Sequence, residues 1–185
     1  MRQIAMKRTL SIAALTLAAA LAMPAALAES AEEIDIKVDA TLKAFKEEVD
    51  GGEEFLARAS GVLVFPKVIK AGLIVGGEHG KGALRVDDKT VGYYSTTAGS
   101  IGLQAGAQAK SEVIVFMTED ALTAFRASSG WEAGVDGNIA VVEWGAGQSL
   151  TTVDVKDPIV GFIFGNTGLM FDLSFEGSKF NKLDL

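Results

Sequence analysis

The chain has 185 residues with 17 Lys and Arg against 24 Asp and Glu, one histidine and no cysteine. The acidic balance argues against a nucleic-acid partner, because neutralising phosphates needs a basic surface. The lack of cysteine excludes disulfides and a lipid-modified cysteine at the N-terminus, and it leaves zinc sites built on His and Cys without ligands.

Residues 1–28 have the features of a secretory signal peptide. A short basic leader precedes an apolar run, and Ala26 and Ala28 match the small residues of a cleavage site. Because the run is too short to span a membrane comfortably, we expect removal near Ala28 rather than anchoring. The mature chain, residues 29–185, is long enough for a single domain. We expect it in the periplasm or secreted, with a peripheral place at the outer membrane as an alternative.

The mature chain begins with a predicted amphipathic helix. Ser30 is a suitable N-cap, and Glu33 three residues later completes the pattern of a capping box. The apolar stripe recurs every three or four residues and consists of Ile34, Val38, Leu42, Phe45 and Val49. The glycine pair at 51–52 ends this helix, and "EEFLARAS" then predicts another helical turn or two.

From Gly61 onward the pattern is mainly β, with one further helix at "TEDALTAFRASSG" (118–130). Pro66 is expected to end the first strand. All 21 glycines lie between residues 51 and 177, and glycine within strands marks bends, bulges and close approaches. We therefore predict an α+β fold. Its core is a strongly coiled, glycine-rich antiparallel sheet or partly closed barrel, with the N-terminal amphipathic helix and the further helix packed on it.

The stretch "GGEHGKG" (76–82) has the composition of a phosphate-binding loop but not its spacing. The glycines that precede Lys81 are one residue too close for a P-loop, and Gly82 stands where that motif needs a hydroxyl. The dinucleotide fingerprint fails as well, because Arg85 occupies the place of its third glycine. We expect a hairpin connection between two strands, and such a loop can also present Lys81 and Arg85 to an anionic group.

Charge is unevenly distributed along the chain. Residues 55–86 carry five Lys and Arg against Glu78 alone, whereas residues 29–54 carry ten acids and three lysines. One basic segment therefore lies within an acidic chain, and it includes the glycine-rich stretch.

Catalysis has little support in the sequence. His79 is the sole candidate base for a serine nucleophile, and no G-x-S-x-G motif presents such a serine. Glu78 precedes His79, but neighbouring residues in a strand point to opposite faces. No segment has the ligand pattern of a calcium loop. We expect no enzymatic activity, no cofactor and no metal, and a hydrolase acting on lipid or glycan is the least favoured alternative.

Four blocks of the sequence, in this order, resemble the SYLF domain over about residues 33–183. They are "GVLVFPKVIKAGLIVGGEHGKGALRV", "YYSTTAGSIGLQAGAQ", "VIVFMTEDALTAF" and "GLMFDLSFEG". The SYLF domain is known from eukaryotic endocytic adaptors, where it binds phosphoinositide-containing membranes and, in fungal members, actin. It also occurs in secreted bacterial proteins of uncertain role.

The resemblance implies binding of lipid headgroups through the basic residues of its first block. They are Lys67, Lys70, Lys81 and Arg85. The expected function is that of a non-enzymatic, exported envelope protein that binds an anionic phospholipid or another envelope lipid, with no actin partner in that compartment. The alternative is a structural or interaction module that binds another envelope protein. The N-terminal helix is strongly acidic, which favours core packing over membrane insertion.

Overall fold

The computed structural model describes residues 29–185 apart from residue 50 and the segments 73–74, 102–105, 144–155 and 168–173. The predicted signal peptide lies outside this range. Within it the chain forms three helices and eight strands. The helices are α1 (Ala31–Glu48), α2 (Gly52–Ala57) and α3 (Glu119–Ala127). The strands are β1 (Gly61–Gly72), β2 (Val75–Val86), β3 (Lys89–Ile101), β4 (Gly106–Phe116), β5 (Trp131–Glu132), β6 (Ala140–Glu143), β7 (Ile159–Thr167) and β8 (Lys179–Leu183).

Local sequence signals set the helix boundaries as predicted. The Glu33 amide donates to Ser30 Oγ at 3.2 Å, and the Ser30 amide donates to Glu33 Oε2 at 3.0 Å, so the capping box is complete. Thr118 caps α3 in the same manner by accepting from the Ala121 amide. Both helices therefore begin where a side chain satisfies free backbone donors.

The strands form one sheet in the order β5-β8-β3-β2-β1-β4-β7-β6. All neighbouring pairs are antiparallel except β6 and β7, which are parallel. The sheet curls into a half-barrel, and α1 packs on it. The predicted α+β class and its curled sheet are confirmed, with the parallel β6–β7 pair as the departure from a purely antiparallel arrangement.

Two predictions about β1 and β2 are wrong. Pro66 does not end a strand, because β1 continues through it at a register shift between Val64 and Lys67. A bulge removes the need for the backbone donor that proline lacks. The glycine-rich stretch 76–82 is not a hairpin connection either, since it lies inside β2 and pairs with β1 on one side and β3 on the other.

Each face of the sheet carries its own apolar core. On the α1 face, helix residues such as Val38 and Phe45 pack against Val64 and Phe162. On the opposite face, called the α3 face below, residues including Phe65, Phe125 and Trp131 form the second cluster. Because side chains alternate along a strand, the face of any residue in β1 and β2 follows from its position. Among the described residues, none of the helices is both long and apolar enough to cross a membrane.

Candidate functional site

The end of the β1–β2 hairpin exposes one face of the sheet. Exposure alternates along the paired ends of both strands, and the exposed positions, together with the half-buried Lys81, face the α1 side, beyond the part of the sheet that α1 covers. We call these residues the hairpin surface. It consists of Lys67, Ile69 and Ala71 of β1 and Val75, Gly77, His79 and Lys81 of β2. The hairpin surface contains no acidic residue.

Two lysines of the hairpin surface lie directly opposite each other. Lys67 of β1 is the cross-strand partner of Lys81 of β2. Lys67 is exposed and Lys81 half-buried, and neither forms an ion pair within the described part of the chain. Like charges opposite each other destabilise a sheet, so this pair has an electrostatic cost that a bound anion would relieve.

A groove of about 360 Å³ lies beside this lysine pair, between the start of α1 and the hairpin. Its lining includes both lysines together with Lys37 of α1 and His79. Lys37 is already paired with the Glu29 carboxylate, which also borders the groove. The groove therefore combines two unpaired ammonium groups with a third that an incoming anion would have to share with Glu29.

Lys70 does not reach the hairpin surface. Its position places it on the α3 face, where the residue is 6% exposed and Nζ lies 3.1 Å from Glu78 Oε1. Lys70 is thus a buried ion-pair partner of Glu78.

Two residues of β4 extend the Lys70–Glu78 pair into a four-membered buried cluster. Lys110 Nζ lies 2.7 Å from Glu78 Oε2 and 2.9 Å from Glu112 Oε1. Burial alone would lower the pKa of Lys110, but the two carboxylates outweigh it and raise the pKa above its ordinary value of 10.5. Burial raises the pKa of Glu112, and the Lys110 ammonium only partly offsets that effect. Within the part of the chain that the structure describes, Glu112 Oε2 is buried and has no hydrogen-bond partner.

Arg85 faces the α1 side but is held by the helix. Its Nη2 lies 2.6 Å from Asp39 Oδ1 and 3.4 Å from Asp35 Oδ1. Thr90 and Tyr93 donate hydrogen bonds to the two oxygens of the Asp35 carboxylate, at 2.6 and 2.8 Å. This network fastens α1 to β2 and β3, and it leaves Arg85 engaged with carboxylates rather than free for an external anion.

The glycines of the stretch 76–82 allow β1 and β2 to approach closely. A Cβ on Gly82 would lie 1.9 Å from the Val64 carbonyl oxygen, and one on Gly80 would lie 2.8 Å from Val68 Cγ2. Gly77 is different, because its nearest neighbour would be 3.7 Å away. Close packing at the bulge, and not the positive φ expected of a turn, requires Gly82.

The structure does not bring Glu78 and His79 together. Glu78 belongs to the buried cluster on the α3 face, whereas His79 lies on the hairpin surface opposite Ile69. Within the described residues, no group of three or more His, Cys, Asp or Glu side chains could hold a metal ion. The expected absence of enzymatic activity stays a prediction.

Residues 97–184 match the model of the Ysc84 family, described as Las17-binding protein actin regulator. The matched residues, just under half of the chain, are similar to the SYLF family. The resemblance found in the sequence is thereby confirmed for the part of the chain from the end of β3 to β8. No curated protein matches the chain significantly.

The SYLF family is a lipid-binding module and not a catalytic one. The matched residues include β4, which supplies Lys110 and Glu112, but they begin after the hairpin surface. The headgroup role predicted for Lys67, Lys70, Lys81 and Arg85 therefore stays a prediction. The structure makes Lys67 and Lys81 available and commits Lys70 and Arg85 to partners inside the protein.

Three residues of the groove and of the buried cluster are not predicted by the sequence. Lys37 lies on an acidic helix, and nothing in the sequence indicates that it borders the same groove as Lys81. Lys110 and Glu112 are two residues apart in β4 and therefore lie on the same face of the strand. This spacing is the one sequence signal that predicts their ion pair. Their contact with Glu78 depends on β1 lying between β2 and β4 in the sheet, which the sequence does not predict.

Proposed function

We propose that this protein is a non-enzymatic envelope protein that binds anionic lipid headgroups at the Lys67–Lys81 pair. The observation that carries the proposal is the direct opposition of two lysines that form no ion pair within the described residues, on strand positions without acidic neighbours of the same face. The lipid-binding character of the family supports it. The envelope location rests on the predicted signal peptide.

The geometry suits a phosphate better than a larger anion. Lys67 and Lys81 approach the groove from neighbouring strands, which lie about 5 Å apart. One phosphate group can therefore accept from both ammonium groups. Lys37 and His79 border the same groove and would contact the glycerol or sugar part of a headgroup. Each well-placed lysine at an anionic membrane surface contributes on the order of 1 kcal/mol.

Co-sedimentation of residues 29–185 with vesicles tests the proposal. The vesicles contain phosphatidylcholine alone or a mixture with phosphatidylglycerol, at low and high salt. We expect binding to the anionic vesicles only, and weaker binding at high salt because exposed charges are screened. Equal binding to both vesicle types, or binding to neither, would contradict the proposal. In the second case, a stoichiometric partner recovered from envelope extract would favour the interaction module.

A further inference from the structure

We infer that Ile69 and Val75 of the hairpin surface contact lipid at the membrane interface. This inference rests on the proposed function and adds the orientation of the protein on an anionic bilayer. Val75 is 73% exposed and Ile69 44% exposed, and both belong to the hairpin surface. Single exposed apolar residues are ordinary, but these two share the hairpin surface with two lysines and with no acidic residue of β1 or β2. The Glu29 carboxylate at the edge of the groove is paired with Lys37.

Apolar and basic residues are arranged in order along the hairpin. Strands rise about 3.3 Å per residue, so Val75 lies about 20 Å from Lys81 along β2, and Ile69 lies about 7 Å from Lys67 along β1. The apolar residues are therefore nearer the hairpin end than the lysines. A hairpin inclined to the membrane can place Ile69 and Val75 at the acyl boundary while the lysines extend toward phosphates, as amphipathic side chains do at interfaces.

The turn at the opposite end of the same strands carries two acidic residues. Asp87 and Asp88 form the turn after β2, at the far end from Val75, and both have positive φ. The α1 carboxylates of Asp35 and Asp39 lie near Arg85, toward that same end. An anionic bilayer attracts the hairpin end and repels the turn end, so charge complementarity selects one orientation. An anionic bilayer is accordingly the occupant that this surface fits.

The lack of cysteine in the chain makes a direct test possible. One variant carries Val75→Cys with an environment-sensitive fluorophore, and the control carries Val135→Cys with the same label. Val135 is 74% exposed, which matches Val75, but it lies in the turn after β5 at the sheet edge. With anionic vesicles we expect a blue shift and quenching by spin-labelled lipid at position 75 and neither change at position 135.

Unlabelled variants give a second measurement. Val75→Asp should weaken partitioning to anionic vesicles by about tenfold, because burying a valine side chain is worth roughly an order of magnitude in an equilibrium constant. Val135→Asp should leave partitioning unchanged. Far-UV circular dichroism checks that both variants are folded.

The outcomes separate this inference from the proposed function. If the labelled protein sediments with anionic vesicles but position 75 stays in water, headgroup binding stands and insertion is wrong. If the protein sediments with no vesicle, both are wrong. A blue shift at position 75 without lipid, accompanied by a dimer in solution, would assign the hairpin surface to a second copy of the chain and overturn the inference.

Discussion

Lys70 and Glu78 lie directly opposite each other on β1 and β2, and Lys70 Nζ is 3.1 Å from Glu78 Oε1 on the buried α3 face. Lys67 and Lys81 are also opposite each other on the same two strands, but on the exposed face. Strand periodicity thus separates Lys70, which is buried and paired with Glu78, from Lys67 and Lys81 on the hairpin surface. This division explains why Glu78 does not reduce the positive charge of the hairpin surface.

The division predicts opposite effects for two substitutions of the same type. Lys70→Met removes one partner of a buried pair and should lower the free energy of unfolding by about 2 kcal/mol, because Glu78 keeps Lys110 as its remaining partner. Lys81→Met should change the free energy of unfolding by less than about 0.5 kcal/mol and should weaken vesicle binding. Urea unfolding and co-sedimentation of both variants measure the two effects. Weaker binding by folded Lys70→Met, with Lys81→Met unaffected, would contradict the assignment.

Arg85 is predicted to hold α1 on the sheet. Arg85→Gln removes its ion pairs with Asp35 and Asp39 and should lower the free energy of unfolding by about 1–3 kcal/mol. Amide hydrogen exchange along α1 should accelerate more than exchange in β4. Arg126→Gln, on the exposed side of α3, is the matched control and should change neither quantity. Unchanged exchange in α1 of the Arg85 variant would show that the network does not fasten the helix.

Two glycines of β2 are predicted to differ sharply in their tolerance of alanine. Gly82→Ala would place Cβ 1.9 Å from the Val64 carbonyl oxygen, so β1 and β2 would have to separate at the bulge. We expect a loss of more than about 3 kcal/mol in the free energy of unfolding. Gly77→Ala has room, with its nearest neighbour at 3.7 Å, and should be neutral or slightly stabilising. Urea unfolding of both variants decides, and similar losses would refute close packing as the reason for Gly82.

Glu112 is predicted to give the protein a specific pH dependence. Its folded pKa lies above the ordinary value of 4.5, so the folded state binds this proton more tightly than the unfolded state does. The contribution to stability is complete below that value and is lost as the pH rises through the raised pKa. The unfolding free energy of the wild type minus that of Glu112→Gln should therefore fall with rising pH.

Urea unfolding of the wild type and Glu112→Gln between about pH 4 and 8 measures this difference. A difference that rises with pH would mean that the Lys110 ammonium, and not burial, dominates the pKa of Glu112. Lys110 contributes to the pH dependence of the free energy of unfolding in a different pH range. Because the folded pKa of Lys110 is raised, its contribution to the free energy of unfolding is complete below about pH 10.5 and is lost as the pH rises above that value.

Capping patterns that span only a few residues predict where the helices begin. Ser30 and Glu33 fix the start of α1, and the acidic first turn after Thr118 fixes the start of α3. The strands were harder to predict, because glycine at positions 76, 77, 80 and 82 hides the alternation that marks a strand. The composition of "GNTG" (165–168) likewise predicts a tight turn between two strands, but residues 165–167 lie inside β7, and residue 168 falls outside the described segments.

The candidate site could be predicted in part. Charge along the sequence identifies the basic segment that contains Lys67 and Lys81, and strand periodicity alone places Lys67 and Lys70 on opposite faces. Arg85 shares a face with Lys81, and what distinguishes them is the position of α1 above Arg85. That contact joins residues about 50 positions apart in the chain, and no local pattern reports it.

Charge reversal at the exposed lysine pair tests the central claim most directly. The variant Lys67→Glu/Lys81→Glu is compared with Lys43→Glu/Lys89→Glu, which makes the same change of net charge at exposed positions away from the groove. Co-sedimentation with phosphatidylglycerol vesicles at low salt should show binding lost in the first variant and largely retained in the second. Equal binding by the two folded variants would show that net charge, and not the Lys67–Lys81 pair, governs any attraction to the membrane.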